Sequence, residues 1–96
     1  MLTLALDWDG TYTADPALWD QFIELCESRG HKVLICTGRD KRTDPIEKHM
    51  PVPIYYTSNE PKKAFLARLG IHPDIFTDDT PERICSAYEF LEDNLD

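Results

Sequence analysis

The stretch Leu2 to Thr13, LTLALDWDGTYT, constrains this chain more than any other. An apolar run, Leu2 to Leu6, leads into Asp7-Trp8-Asp9-Gly10-Thr11, so a buried strand is expected to deliver two carboxylates and a tight turn to one end of a sheet. Asp7 and Asp9 stand two apart on an extended segment, so their side chains leave the same face while Trp8 points the other way. Gly10 lets the backbone turn sharply and bring its N–H groups close to a bound anion. These are the parts of a cation and phosphate site. Two other readings compete for the same residues. Asp9-Gly10 also suits a hairpin turn. A calcium loop fails, because an EF-hand carries its glycine at the sixth position and follows a helix, whereas Gly10 is fourth from Asp7 and follows a strand.

Downstream, apolar runs alternate with helical patterns. Asp15-Pro16 is a helix start, a side-chain acceptor at the N-cap followed by a residue whose missing N–H costs nothing in the first turn. The helix should run to about Ser28, with Leu18, Trp19, Phe22, Ile23 and Cys26 as its apolar stripe and Gly30 in the left-handed position beyond it. Lys32 to Cys36 reads as a strand covered on both faces, ending in Thr37-Gly38-Arg39. Asp44-Pro45-Ile46-Glu47 offers an N-cap with a capping-box glutamate, so a brief helix to about Met50 is expected before Pro51 and Pro53. Val52 to Thr57 is a third strand. Pro61 opens a helix with an inward stripe of Lys62, Phe65, Leu66 and Leu69, stopped by Gly70. Pro73 to Thr77 is a fourth strand delivering Asp78 and Asp79. Thr80-Pro81 caps a last helix with Ile84, Ala87, Tyr88 and Leu91 packing back, and the acidic end, Glu92 to Asp96, frays.

Strands alternating with helices, without repeats or low-complexity linkers, imply right-handed crossovers and a parallel sheet. The expected architecture is α/β: a doubly wound, Rossmann-like parallel sheet of four strands with helices on both faces. At 96 residues it forms a single domain. Hydrophobic residues make up 42% of the chain, enough for a core, which argues against disorder. A net charge of −8 works against broad nucleic-acid binding, which rests on phosphate neutralisation by Lys and Arg. The N-terminal apolar run is too short for a membrane span and lacks a basic leader, so a soluble, cytoplasmic protein is expected. Cys26, Cys36 and Cys85 are odd in number and form no Cys-x-x-Cys pair, which points to buried thiols rather than disulfides or zinc. His31, His49 and His72 lie near loops and helix ends, where packing or surface roles are expected.

Ligands bind such sheets at the carboxyl ends of the strands. There the reading places Asp7 and Asp9 after strand one, Thr37 after strand two, Asp78 and Asp79 after strand four, and Lys62 at the start of the preceding helix. Each could be a cap or a turn residue by itself, but the set converges from unconnected segments. The order of an Asp-Trp-Asp-Gly-Thr segment, Thr37-Gly38-Arg39, a lysine and Asp78-Asp79 resembles the four short motifs of the haloacid dehalogenase-like phosphohydrolases over nearly the whole chain.

That resemblance implies a phosphatase acting on phosphomonoesters. Asp7 would be the nucleophile that becomes an aspartyl phosphate, and Asp9 the general acid and base. Thr37 and the backbone N–H groups near Gly10, Thr11 and Gly38 would hold the phosphoryl oxygens. Mg²⁺ would be held by Asp7, the Asp9 carbonyl and Asp78, with Asp79 supporting directly or through water. Lys62 would supply the motif's positive charge; Lys63 is its rival, rotated toward solvent by helix geometry. Arg39, extended by Lys41 and Arg42, could bind a second phosphate or the far end of the substrate.

The chain departs from the family in two ways. Its loops leave no room for the usual cap domain, so the site should be open and suited to substrates whose own bulk covers it, such as proteins or nucleic-acid ends; the expected partner is a phosphorylated small molecule, a nucleotide or a nucleic-acid end. The motif Thr37-Gly38-Arg39 with its basic loop is similar to the phosphatase module of polynucleotide kinase-phosphatases. The family's fifth strand is also missing, leaving an edge that a partner, or a second copy in a homodimer, could cover. Two rival classes remain: a catalytically weak phosphate- or Mg²⁺-binding protein of this fold, and a phosphotransfer receiver. The receiver fits poorly, since its acceptor Asp follows the third strand, where this chain has Ser58-Asn59.

Overall fold

The computed structural model of the chain describes residues 1–85. Four strands, β1 (Thr3–Leu6), β2 (Lys32–Thr37), β3 (Ile54–Tyr56) and β4 (Ile75–Thr77), form one sheet in the order β3-β2-β1-β4. All three pairings are parallel, in the α/β manner. Helix α1 (Pro16–Ser28) links β1 to β2, and helix α2 (Lys62–Arg68) links β3 at one edge to β4 at the other. Strands one to three therefore add in one direction and the fourth returns to the far side of β1. That reversal opens a crevice at the carboxyl ends of β1 and β4.

Alternation along the central strands divides the apolar side chains between two clusters. Leu4, Leu6, Val33 and Ile35 pack with Trp19, Phe22, Ile23 and Cys26 of α1, and with Trp8 and Tyr12. Ala5, Leu34 and Cys36 pack with Phe65 and Leu66 of α2. The start of α1 is as expected: the Asp15 carboxylate accepts from Leu18 N at 3.3 Å, with Pro16 following. Leu18, however, is exposed rather than inward. It stands four residues before Phe22 but at the flank of the stripe formed by residues 19, 22, 23 and 26, which are the ones that pack on the sheet.

Leu69 is a second correction. It was expected on the inward stripe of α2, yet it is 54% exposed while Leu66 is fully buried. The helix stops one residue earlier: Gly70 N donates to Ala67 O and Ile71 N to Leu66 O, with Gly70 at φ +77°. This double bond at a left-handed glycine turns the chain so that Ile71 takes the inward place.

A third correction concerns residues 44–50, which form no helix. Asp44 does not cap one; its carboxylate pairs with Arg39 at 3.5 Å, and its N–H donates to Asp40 O at 2.8 Å. With Pro51 and Pro53 close behind, too few residues remain to repay helix nucleation. The segment is instead tied down by side chains. Ile46 N donates to the Tyr56 hydroxyl, and Lys48 Nζ donates to the Tyr12 hydroxyl at 2.6 Å, which in turn donates to Asp20. Met50 and Val52 then fill the first cluster.

At the opposite end of the sheet, His31 Nδ1 accepts from Leu2 N and the Asp74 carboxylate accepts from Thr3 N, a packing role for both. The expected third and fourth strands shorten to Ile54–Tyr56 and Ile75–Thr77. After Asp79 the chain makes a 3₁₀ turn, Pro81–Arg83. The rest of the expected last helix, with Ala87, Tyr88 and Leu91, and the acidic end Glu92 to Asp96 lie outside the described residues. Among the described residues no helix is long and apolar enough to cross a membrane.

The two leucines of α2 give a direct test of this packing. Leu66→Ala should lower unfolding stability by about 2–5 kcal/mol, as for a buried leucine left as a cavity. Leu69→Ala should stay within about 0.5 kcal/mol. Urea denaturation of both variants reads the difference, and equal losses would contradict the observed helix end.

Candidate functional site

Strand β1 delivers Asp7 to the crevice with its N–H bonded to Thr77 O of β4 at 3.0 Å, so the carboxyl ends of the two strands are joined there. Asp7 is 7% exposed and Lys62 3%. Lys62 Nζ lies 2.5 Å from Asp7 Oδ1 and 2.5 Å from Asp78 Oδ2, so one buried ammonium bridges the first and last strands. Lys63, one position on, is exposed. Asp7, Asp78 and Asp79 each offer an oxygen within 4.8 Å of the others, a set that could hold a metal ion.

Thr11 fastens this group. Its hydroxyl is 3.0 Å from Asp7 Oδ2 and accepts from Asp79 N at 3.1 Å. Gly10, at φ +82°, passes so close to Asp79 that an added Cβ would stand 2.3 Å from its Oδ2. Only glycine meets both conditions at that turn. Neither residue, as placed, offers its expected donor to a phosphoryl group: the Gly10 N–H donates to Thr13 Oγ1, and the Thr11 N–H to Trp8 O. Trp8 points away from the cleft, as alternation requires, and stacks on Tyr12.

A cleft of about 350 Å³ opens over the acids, lined by Asp7, Asp9, Gly38, Arg39, Lys62, Asp78 and Asp79 among others. Thr37 does not line it; the residue is buried, and its hydroxyl accepts from Arg39 N. Lys41 and Arg42 are exposed and do not line it either, with Arg42 bonded back to Asp40. Asn59 and Arg83 do, and neither was singled out in the sequence. Asn59 follows Ser58 in an unusual pair of left-handed residues, φ +52° and +67°. Their N–H groups donate to Arg39 O and Gly38 O, which stitches the loop after β3 to the loop after β2. The Ser58-Asn59 sequence carries a weak signal for this, since Asn tolerates that conformation. For Arg83 the only signal is its place a few residues beyond Asp78-Asp79.

Asp7 and Asp9 differ electrostatically. Burial pushes the Asp7 carboxyl up to about 6, against the opposing pull of Lys62. Burial also disfavours the Lys62 ammonium, but its contacts with Asp7 and Asp78 outweigh that and hold it above its ordinary value. Asp9 is exposed and gripped through both oxygens by Arg39, at 2.9 Å from Nε and 2.7 Å from Nη2, which holds its carboxyl below the usual range. Cys36, buried behind the site, has its thiol pushed up to about 12 by desolvation, so it stays protonated and unreactive.

A hard divalent cation fits the three carboxylates, all oxygen donors. Like charges about 4 Å apart repel by roughly 4 kcal/mol per pair at an effective dielectric near 20. Lys62 carries one positive charge against Asp7 and Asp78, with Asp79 close by.

A pH signature follows for the protein in chelator. The folded Asp7 value of about 6 lies above its ordinary 3.8, so between those values the folded protein keeps a proton that the unfolded chain has released. Its stabilising contribution is present at the acid end of that window and is lost as pH rises through it. The stability of the wild type relative to Asp7→Asn should therefore fall from about pH 4 to about pH 6, measured by denaturant titration. A flat difference would remove the buried-carboxyl account.

Comparison of the chain with protein-family models, with curated proteins and with solved structures finds no match.

Proposed function

We propose that this chain is a Mg²⁺-dependent phosphomonoester hydrolase with a doubly wound, capless fold of the haloacid dehalogenase-like kind. The observation that carries the proposal is the buried Asp7 carboxylate at the end of β1, held by Lys62 and converging with Asp78 and Asp79 from β4. The doubly wound arrangement is supported by α1 and α2 packing with alternate residues of β1 and β2. The short, side-chain-anchored segment 38–53 and the open cleft support the capless form.

In the reaction, an Asp7 oxygen attacks phosphorus and forms a P–O bond as the ester P–O bond breaks, and the departing oxygen takes a proton from Asp9. Water then attacks the same phosphorus, Asp9 takes its proton, and Asp7 leaves as a carboxylate, giving inorganic phosphate. Lys62 keeps Asp7 ionised and oriented. Gly38, beside the cleft, allows close approach of the phosphoryl group. Mg²⁺, held by Asp7, Asp78 and Asp79, would neutralise charge on the phosphoryl oxygens. Phosphorylated small molecules, nucleotides and nucleic-acid ends all suit an open cleft.

One observation favours a second reading, a phosphate- or Mg²⁺-binding protein with weak catalysis. Arg39 occupies both oxygens of Asp9, the group that has to deliver the proton. Turnover requires Asp9 to exchange Arg39 for the leaving oxygen.

Asp7→Asn should lower turnover of p-nitrophenyl phosphate by about 10³-fold or more while preserving the circular dichroism spectrum. Undiminished turnover would take Asp7 out of the mechanism. Mg²⁺ should raise the melting temperature of the wild type and have less effect on Asp7→Asn. Arg39→Gln frees Asp9 to bind its proton more tightly, so the basic limb of the pH profile should move to higher pH in this variant. Absence of wild-type turnover across a substrate panel, with Mg²⁺ still raising the melting temperature, would favour the binding protein.

A further inference from the structure

Among the described residues, the cleft presents three cationic side chains, Arg39, Lys62 and Arg83, and six carboxylates: Asp7, Asp9, Asp40, Asp44, Asp78 and Asp79. An incoming anion meets a negative lining, so which cation is available decides where it can bind. Lys62 is committed to Asp7 and Asp78. Arg39 gives Nε and Nη2 to Asp9, and its Nη1 faces Asp44 and the Pro45 carbonyl at 3.5 Å. Arg83 is different. It is exposed, and among the described residues its guanidinium has no acceptor.

Its placement is nonetheless defined. Arg83 closes the 3₁₀ turn after Asp78-Asp79, with its N–H donating to Thr80 O at 2.9 Å, and the next residue's carbonyl, Ile84 O, accepts from Lys63 N of α2. The guanidinium lies over Gly38, where an added Cβ would stand 4.0 Å from Nη1. A second cleft of about 450 Å³ adjoins the first, and Gly38, Asn59, Lys62 and Arg83 line both. Arg83 therefore stands at the seam. Its charge reaches Asp9, the residue on the leaving-group side of the reaction.

We infer that Arg83 is the specificity-determining residue of this cleft, receiving a second anionic group on the leaving portion of the substrate, which extends into the adjoining cleft. The inference rests on the phosphatase reading for the meaning of "leaving portion". The substrates preferred are phosphomonoesters whose leaving group itself carries a phosphate or carboxylate. A planar guanidinium offers such a group two parallel N–H donors, and the six carboxylates of the first cleft, with Glu60 and Glu82 of the adjoining one, penalise an anion placed away from it.

The test titrates the full chain, with Mg²⁺ present, with methylphosphonate and with propane-1,3-diphosphonate in a calorimeter. The wild type should bind the diphosphonate about tenfold or more tightly than the monophosphonate. Arg83→Gln should abolish that preference, and Arg83→Lys should keep part of it. No preference in the wild type, or an undiminished one in Arg83→Gln, overturns the inference. In turnover, Arg83→Gln should lower kcat/KM more for a bis-anionic ester than for p-nitrophenyl phosphate, with the loss falling on KM; an equal loss on both overturns it. The binding arms need no catalysis. A wild type that prefers the diphosphonate through Arg83 but hydrolyses nothing would sink the phosphatase reading alone.

Discussion

A lysine buried between two carboxylates is the interaction on which the open end of this sheet depends. Burying an ammonium or a carboxylate alone is costly, and such groups persist in the interior only when paired. Asp7 leaves β1, Asp78 leaves β4, and Lys62 begins the helix that carries the chain from one edge of the sheet to the other. One salt-bridged cluster thus ties together three segments far apart in sequence. It also keeps two acids side by side that would otherwise repel, at the place where the strand order reverses.

The polar groups around that cluster divide into those that build the site and those that face into it. Thr11 links the Asp7 carboxylate to the Asp79 backbone, Gly10 makes room for the Asp79 carboxylate, and Thr37 supports the Arg39 backbone. Asp9, Gly38, Arg39, Asn59 and Arg83 face the cleft. The left-handed residues Ser58 and Asn59 belong to both groups, because their backbone bonds to Gly38 and Arg39 hold the cleft wall while Asn59 lines it. Backbone conformations of this kind cost free energy and persist where surrounding structure over-determines them.

Arg39 and Asp9 show how two groups lining the cleft satisfy each other. The bidentate pair favours the ionised Asp9 and occupies Nε and Nη2 of the guanidinium, so neither takes another partner through those atoms without giving up the other. Among the described residues, the cleft cation without an acceptor is Arg83, on the turn that follows Asp78 and Asp79. Charge in this cleft is therefore distributed by partner rather than by residue type.

Much of the architecture was legible in the sequence because it rests on local periodicity: alternating apolar runs for four parallel strands, Asp15-Pro16 for the start of α1, and the three- and four-residue spacing that put Lys62 on the inward side with Leu66. The convergence of Asp7, Lys62, Asp78 and Asp79 followed from one rule, that such sheets gather their polar residues at the carboxyl ends. What the sequence could not decide were the outcomes that depend on competing partners. Asp44 and Glu47 have the pattern of a helix start, yet Arg39 and the anchoring of Lys48 on Tyr12 offered the segment other bonds. Leu69 has helical spacing, yet a glycine turn gave its place to Ile71. Thr11, Arg39 and Arg83 are all plausible anion donors by type, and only the folded arrangement shows which of them already has an acceptor, because hydrogen-bond capacity is finite and its allocation is set by neighbours distant in sequence.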